Sequence, residues 1–101
     1  MPATKTLTVE SLIAEYADDI AFAAEEQPAT TVNDFAAQMR DATRTFELAG
    51  INGGDELENA ATYLVDAATS ADPTEQAVLL KKAAKSLAYA DDMVSELRDM
   101  V

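Results

Sequence analysis

Apolar residues recur three and four positions apart along almost the whole chain, in four runs separated by breakers. That spacing follows the 3.6-residue period of a helix with one buried face. The first run covers 8–27. Val9, Leu12, Ile13, Tyr16, Ile20 and Ala23 share a face, Thr8 is placed as N-cap, Glu10 suits the first turn, and Pro28 closes the run. The second covers 31–49, with Val32, Phe35, Met39, Ala42, Phe46 and Ala49 as its seam. Thr31 followed by Asp34 resembles a capping box, and Gly50 suits the left-handed position after a helix, with Ile51 folding back on Phe46.

The third run covers 56–71 and its seam is mostly alanine: Leu57, Ala60, Leu64, Ala67 and Ala71. Asp55 and Glu58 predict a capping box after Asn52-Gly53-Gly54. Small side chains bury little area, so this helix is expected to be the least stable of the four. The fourth covers 73–100. Asp72 is the N-cap, Pro73 the first helical residue and Glu75 the third, and then Leu80, Ala83, Leu87, Ala90, Val94, Leu97 and Val101 hold the rhythm to the last residue. At 1.5 Å per residue it reaches about 40 Å, against about 25–30 Å for the others. No run alternates with period two. The connections are short, so successive helices are expected to be antiparallel neighbours. The pattern predicts one all-α domain over 1–101, an antiparallel up-down four-helix bundle with a long C-terminal helix.

Tyr16-Ala17-Asp18-Asp19-Ile20 and Tyr89-Ala90-Asp91-Asp92-Met93 look like a repeat. Their faces differ. Tyr16 falls inside the apolar stripe of the first helix, whereas Tyr89 lies about opposite Leu80, so the likeness is read as coincidence in a chain rich in Ala and Asp.

Charge changes the picture more than composition does. The 101 residues carry 19 Asp and Glu against seven Lys and Arg, a net charge of −12. The first helix holds six acids and no base, and the stretch from Ile51 to Asp72 holds five acids and no base, so these two segments account for eleven of the twelve. In an up-down bundle the first and third helices lie diagonally, which keeps the acidic segments apart. An excess of acid over Lys with abundant Ala and Thr also fits a salt-adapted protein, whose charge serves solubility.

With no Cys and no His, thiol and Ser-His nucleophiles, His- or Cys-ligated haem and ordinary zinc sites are excluded. Neighbouring carboxylates such as Asp18-Asp19, Glu25-Glu26 and Asp91-Asp92 diverge by about 100° on a helix and form no ready acid–base pair. The turn Gly50-Ile51-Asn52-Gly53-Gly54-Asp55 has neither the ligand spacing of a calcium loop nor the Gly-Lys-Ser/Thr of a phosphate loop. No enzyme, cofactor or metal is expected. A direct nucleic-acid ligand is not expected either, because −12 repels phosphates, and Lys81, Lys82 and Lys85 are read as a solvated face. The N-terminus lacks the apolar core of a secretory signal and no run approaches the roughly 20 residues that span a bilayer, so a cytoplasmic protein with no membrane partner is expected.

What remains is protein binding. Phe22 lies off the first seam, and Leu79, Met93 and Met100 form a second stripe on the fourth helix. If that helix outruns its neighbours, Met93, Val94, Leu97, Met100 and Val101 are left uncovered unless Met1 to Leu7 covers them. The expectation is a non-enzymatic binding module, an assembly or adaptor protein or a small inhibitor. It would use Phe22, Leu79, Met93, Leu97 and Met100 as apolar contacts, for a basic partner or for self-association through the fourth helix. Glu15, Asp18, Asp19, Glu25, Glu26, Asp55, Glu56, Glu58 and Asp66 would be its acidic contacts. Two alternatives are an acidic decoy of the kind made by phages or mobile elements, imitating DNA to inhibit a nucleic-acid-binding protein, and a structural component of a halophilic cell or virus.

Overall fold

The computed structural model describes residues 7–100. It has four helices: α1 (Val9–Ala24), α2 (Val32–Ala49), α3 (Gly54–Thr69) and α4 (Pro73–Asp99). Among the described residues no strand occurs, and the helices pack as the expected all-α bundle with a long C-terminal helix. The molecule measures 40 Å in its longest dimension, close to the length that 27 helical residues give α4. Val101, the last position of the fourth seam, and residues 1–6, which include most of the stretch from Met1 to Leu7, lie outside the described residues.

Local chemistry sets most boundaries. The Thr8 hydroxyl accepts from the Ser11 N–H at 2.9 Å, and the Thr8 N–H donates back to the Ser11 hydroxyl at 2.9 Å, a complete capping box. The Thr31 hydroxyl accepts from the Asp34 N–H at 3.2 Å. The Asp72 carboxylate accepts from the Thr74 N–H at 2.9 Å, ahead of Pro73. Replacing Asp72 with Ala is expected to cost about 1 kcal/mol of unfolding free energy, seen as a lower urea midpoint. Gly50 is left-handed at φ +70°, and the Ile51 N–H returns to the Phe46 carbonyl at 2.9 Å.

Two boundaries differ from the sequence reading. α1 stops at Glu25, which turns left-handed at φ +58°, before Pro28 is reached. α3 starts at Gly54 rather than at 56. Its N-cap is Gly53, which has no side chain to accept a bond, so the expected Asp55–Glu58 box does not form. Asp55 and Glu56 still stand in the first turn, where the helix dipole favours them.

The up-and-down alternation holds from α2 through α3 to α4, because the turns at 50–53 and 70–72 are tight. α1 departs from it. Thr8, Val9 and Ile13 share a cleft with Gln76 and Leu80 near the start of α4, while Asp19 meets Arg98 near its end. α1 therefore runs in the same sense as α4, and in the same sense as α2. The link at 25–31 makes this possible. It runs back along α2: Glu26 lies beside Asp41, the Gln38 side-chain amide donates to the Gln27 carbonyl, and Thr30 and Asp34 line one hollow. Seven extended residues reach about 20 Å, nearly the roughly 24 Å of α1. Ala29 is buried in the core and anchors the return.

α1 packs against α2 and α4 and barely meets α3. The two acidic helices are thus kept apart, in the diagonal placement that the bundle reading gave them. α3 lies between α2 and α4, with Leu57, Ala60, Ala61, Leu64 and Ala67 all fully buried. Its alanines let both neighbours come close. Phe35, Phe46, Met39, Leu64 and Leu87 fill the centre.

Candidate functional surfaces

One end of the bundle brings exposed apolar side chains and acids together. The α2–α3 turn and the C-terminal end of α4 meet there. Ala49, Gly50 and Ile51 form a surface hollow of about 440 Å³ with Glu96, Asp99 and Met100. On the other side of Ile51 a second hollow of about 440 Å³ is lined by Glu47, Asp55, Glu56, Glu58 and Tyr89, among others. Met100 is 60% exposed, Tyr89 41%, and Leu48, which precedes Ala49, is 83% exposed. The three stand out of the bundle because none belongs to a seam: Leu48 lies between Phe46 and Ala49 on the opposite side of α2, and Tyr89 sits between the buried Leu87 and Ala90.

The expected apolar overhang of α4 is mostly covered. Leu97 is 8% exposed, Val94 is buried, and Met93 packs half-buried with its Cγ close to Gly53. The covering elements are the α2–α3 turn and the C-terminal part of α1, which reaches this end because α1 runs parallel to α4. Of the α4 contacts named from sequence, Met100 alone stands clear of the bundle. Leu79 is half-buried against the core. Leu7 sits with Ala77, Val78 and Lys81 at the other end of α4, so it does not cover Met100.

The second cluster lies along the α1–α4 seam. Arg98 bonds the Asp19 Oδ1 at 2.8 Å, and its guanidinium lies 4.1 Å from the centre of the Phe22 ring. Phe22 is therefore half-covered by its own neighbour across the seam. Asp91 of α4 meets Asp19 of α1, with Tyr16 and Asp92 close by. Asp91 Oδ1 is shut off from solvent and has no hydrogen-bond donor. Burial, followed by the contact with Asp19 and the charges of Asp19 and Asp92, pushes the Asp91 carboxyl up to about 7. The bond from Asp91, helped by Arg98, holds Asp19 below the usual carboxylate range. The proton belongs on Asp91. Burial, then the charges of Glu15, Asp91 and Asp92, raises Tyr16.

The other acidic positions scatter. Glu15 and Asp18 are on the outer side of α1, and Glu25 caps it. Glu26 sits on the return link, where the neighbouring Asp41 carboxyl pushes it above the usual range. Asp66 is exposed on α3, away from the α1 acids. The decoy expectation needs one continuous acidic face, and α1 and α3 flank the bundle on different sides. Lys81, Lys82 and Lys85 are exposed, and the Lys82 ammonium lies 5.8 Å from the Tyr63 ring centre. Among the described residues no three acids converge to hold a metal ion, and no helix is long and apolar enough to cross a membrane.

The two YADD segments keep the difference expected from their faces: Tyr16 is half-buried and Tyr89 is exposed. No protein-family model, curated protein or solved structure matches the chain.

Proposed function

We propose that the chain is a non-enzymatic protein-binding module that docks a basic partner on the bundle end formed by the α2–α3 turn and the end of α4. The observation that carries this reading is the combination there: Tyr89 and Met100 line hollows on either side of Ile51 together with Glu47, Asp55, Glu56, Glu58, Glu96 and Asp99, and Leu48 is exposed next to Ala49 in the last turn of α2. Apolar side chains at the centre supply affinity, because their burial removes water. The acids around them set orientation and speed encounter with a positively charged surface. This keeps Met100, Asp55, Glu56 and Glu58 of the sequence reading and adds Glu47, Leu48, Ile51, Tyr89, Glu96 and Asp99.

The test compares the wild-type chain with Leu48→Glu/Met100→Glu in affinity capture from the source cells at low and high salt. Both side chains are exposed, so helical content should be unchanged. Partner capture is expected to fall roughly five- to thirtyfold, the effect of losing one or two kcal/mol at an interface centre. Wild-type capture should also weaken as salt rises. If the double variant retains the same partner at the same salt, this surface is not the docking site.

A further inference from the structure

The Asp19–Asp91 contact joins two carboxyls across a helix interface, an arrangement that disfavours ionising both. Asp91 Oδ1 is buried without a donor, and Arg98 supplies one positive charge, already committed to Asp19 at 2.8 Å. The groups facing Asp91 are Tyr16 and Asp19 from α1 and Asp92 and Arg98 from its own helix, with the Glu15 charge beside Tyr16. With Asp91 ionised, three carboxylates would crowd one guanidinium. With Asp91 protonated, its O–H donates to Asp19, and the Asp19 carboxylate is held from two sides.

We infer that this contact is a proton-operated latch: a proton on Asp91 seats α1 against α4, and its loss loosens that seam. α1 is the element such a latch can move. It barely touches α3, and it is joined to α2 by the extended link at 25–31 rather than by a tight turn. Its attachment to α2 remains when the seam with α4 opens.

The direction with pH follows from the two carboxyls. Asp91 holds its proton more tightly when docked, so its contribution is complete below the ordinary carboxylate range and is lost as pH climbs through about 7. Asp19 is held low, so its contribution is present above the ordinary range and is lost as pH falls below it. Docking is therefore tightest near the ordinary carboxylate range and weakens as pH climbs toward about 7.

The experiment follows the full chain by NMR, reading the Asp91 carboxyl carbon and amide exchange along α1 between about pH 5 and about pH 8. Asp91→Asn serves as the reference, because an Asn amide donates to Asp19 and does not titrate. In the wild type, the carboxyl carbon should titrate near 7. α1 exchange, divided by that of Asp91→Asn at the same pH, should rise by up to about tenfold per pH unit as far as about 7 and level off above it. Asp19→Asn should return the Asp91 titration toward the ordinary carboxylate range. An Asp91 that titrates in the ordinary range in the wild type, or an α1 exchange ratio that stays flat with pH, overturns the latch.

Discussion

Phe46→Ala is expected to lower the unfolding free energy by about 3–5 kcal/mol, a large share of the 5–15 kcal/mol that holds a domain together. Phe46 is fully buried near the C-terminal end of α2. Its carbonyl receives the Ile51 N–H, and its ring lies against Gly53, so it supports the turn from inside. The cost should fall toward the upper part of that range, because the site is poorly placed to collapse. The backbone on one side is a tight turn pinned by hydrogen bonds, and on the other side α3 is already at close approach through its alanines. Urea unfolding followed by circular dichroism measures the effect as a drop in midpoint at nearly unchanged slope. A loss below about 1 kcal/mol would mean that the turn repacks freely, contrary to the geometry.

The three-four spacing of apolar residues made the helices legible because a helix must bury one face, and that requirement is local. Thr8, Thr31, Gly50 and Asp72 were legible for the same reason: each satisfies backbone groups within a few residues of itself. The failures are positions where a local rule had two answers. Asp55 could cap a helix beginning at 56, but Gly53 and Gly54 allow the chain to enter α3 earlier. Pro28 could end α1, but Glu25 turns left-handed first.

The direction of α1 was not legible, because loop length alone does not distinguish a turn from a return. Seven residues suffice for either. The choice rests on contacts distant in sequence, Gln38 with Gln27 and Asp19 with Arg98. Everything that depends on that direction was hidden with it. Asp19 and Asp91 were each visible as acids on helices, but their meeting requires α1 and α4 to run in the same sense. The uncovered α4 end was predicted from length, and the parallel α1 removes most of it. The docking surface was half legible. Met100, Asp55, Glu56 and Glu58 were named, and Leu48 and Tyr89 carried a visible signal, large apolar residues lying off their seams.

Gly53→Ala should destabilise the chain by about 2–4 kcal/mol, and Gly50→Ala by only about 1 kcal/mol, although both residues sit in the same turn. Gly50 at φ +70° is in the left-handed region that other residues enter at modest cost, and a Cβ there meets nothing within 4 Å. Gly53 at φ +121° is in a region nearly closed to a residue with a Cβ. A Cβ there would also stand 3.1 Å from Met93 Cγ and 3.1 Å from Phe46 Cε2. The Phe46 ring is fully buried and cannot swing away, so the turn must shift instead. The backbone part of the penalty is independent of Phe46, whereas the steric part is not. In the Phe46→Ala background Gly53→Ala should therefore cost about 1–2 kcal/mol less than in the wild type, and a double-mutant cycle of urea midpoints reads the difference. Strict additivity would mean that the ring does not restrain the turn. The predicted coupling means that one aromatic residue of α2 fixes the turn that carries Ile51, on which the hollow beside Met100 is built.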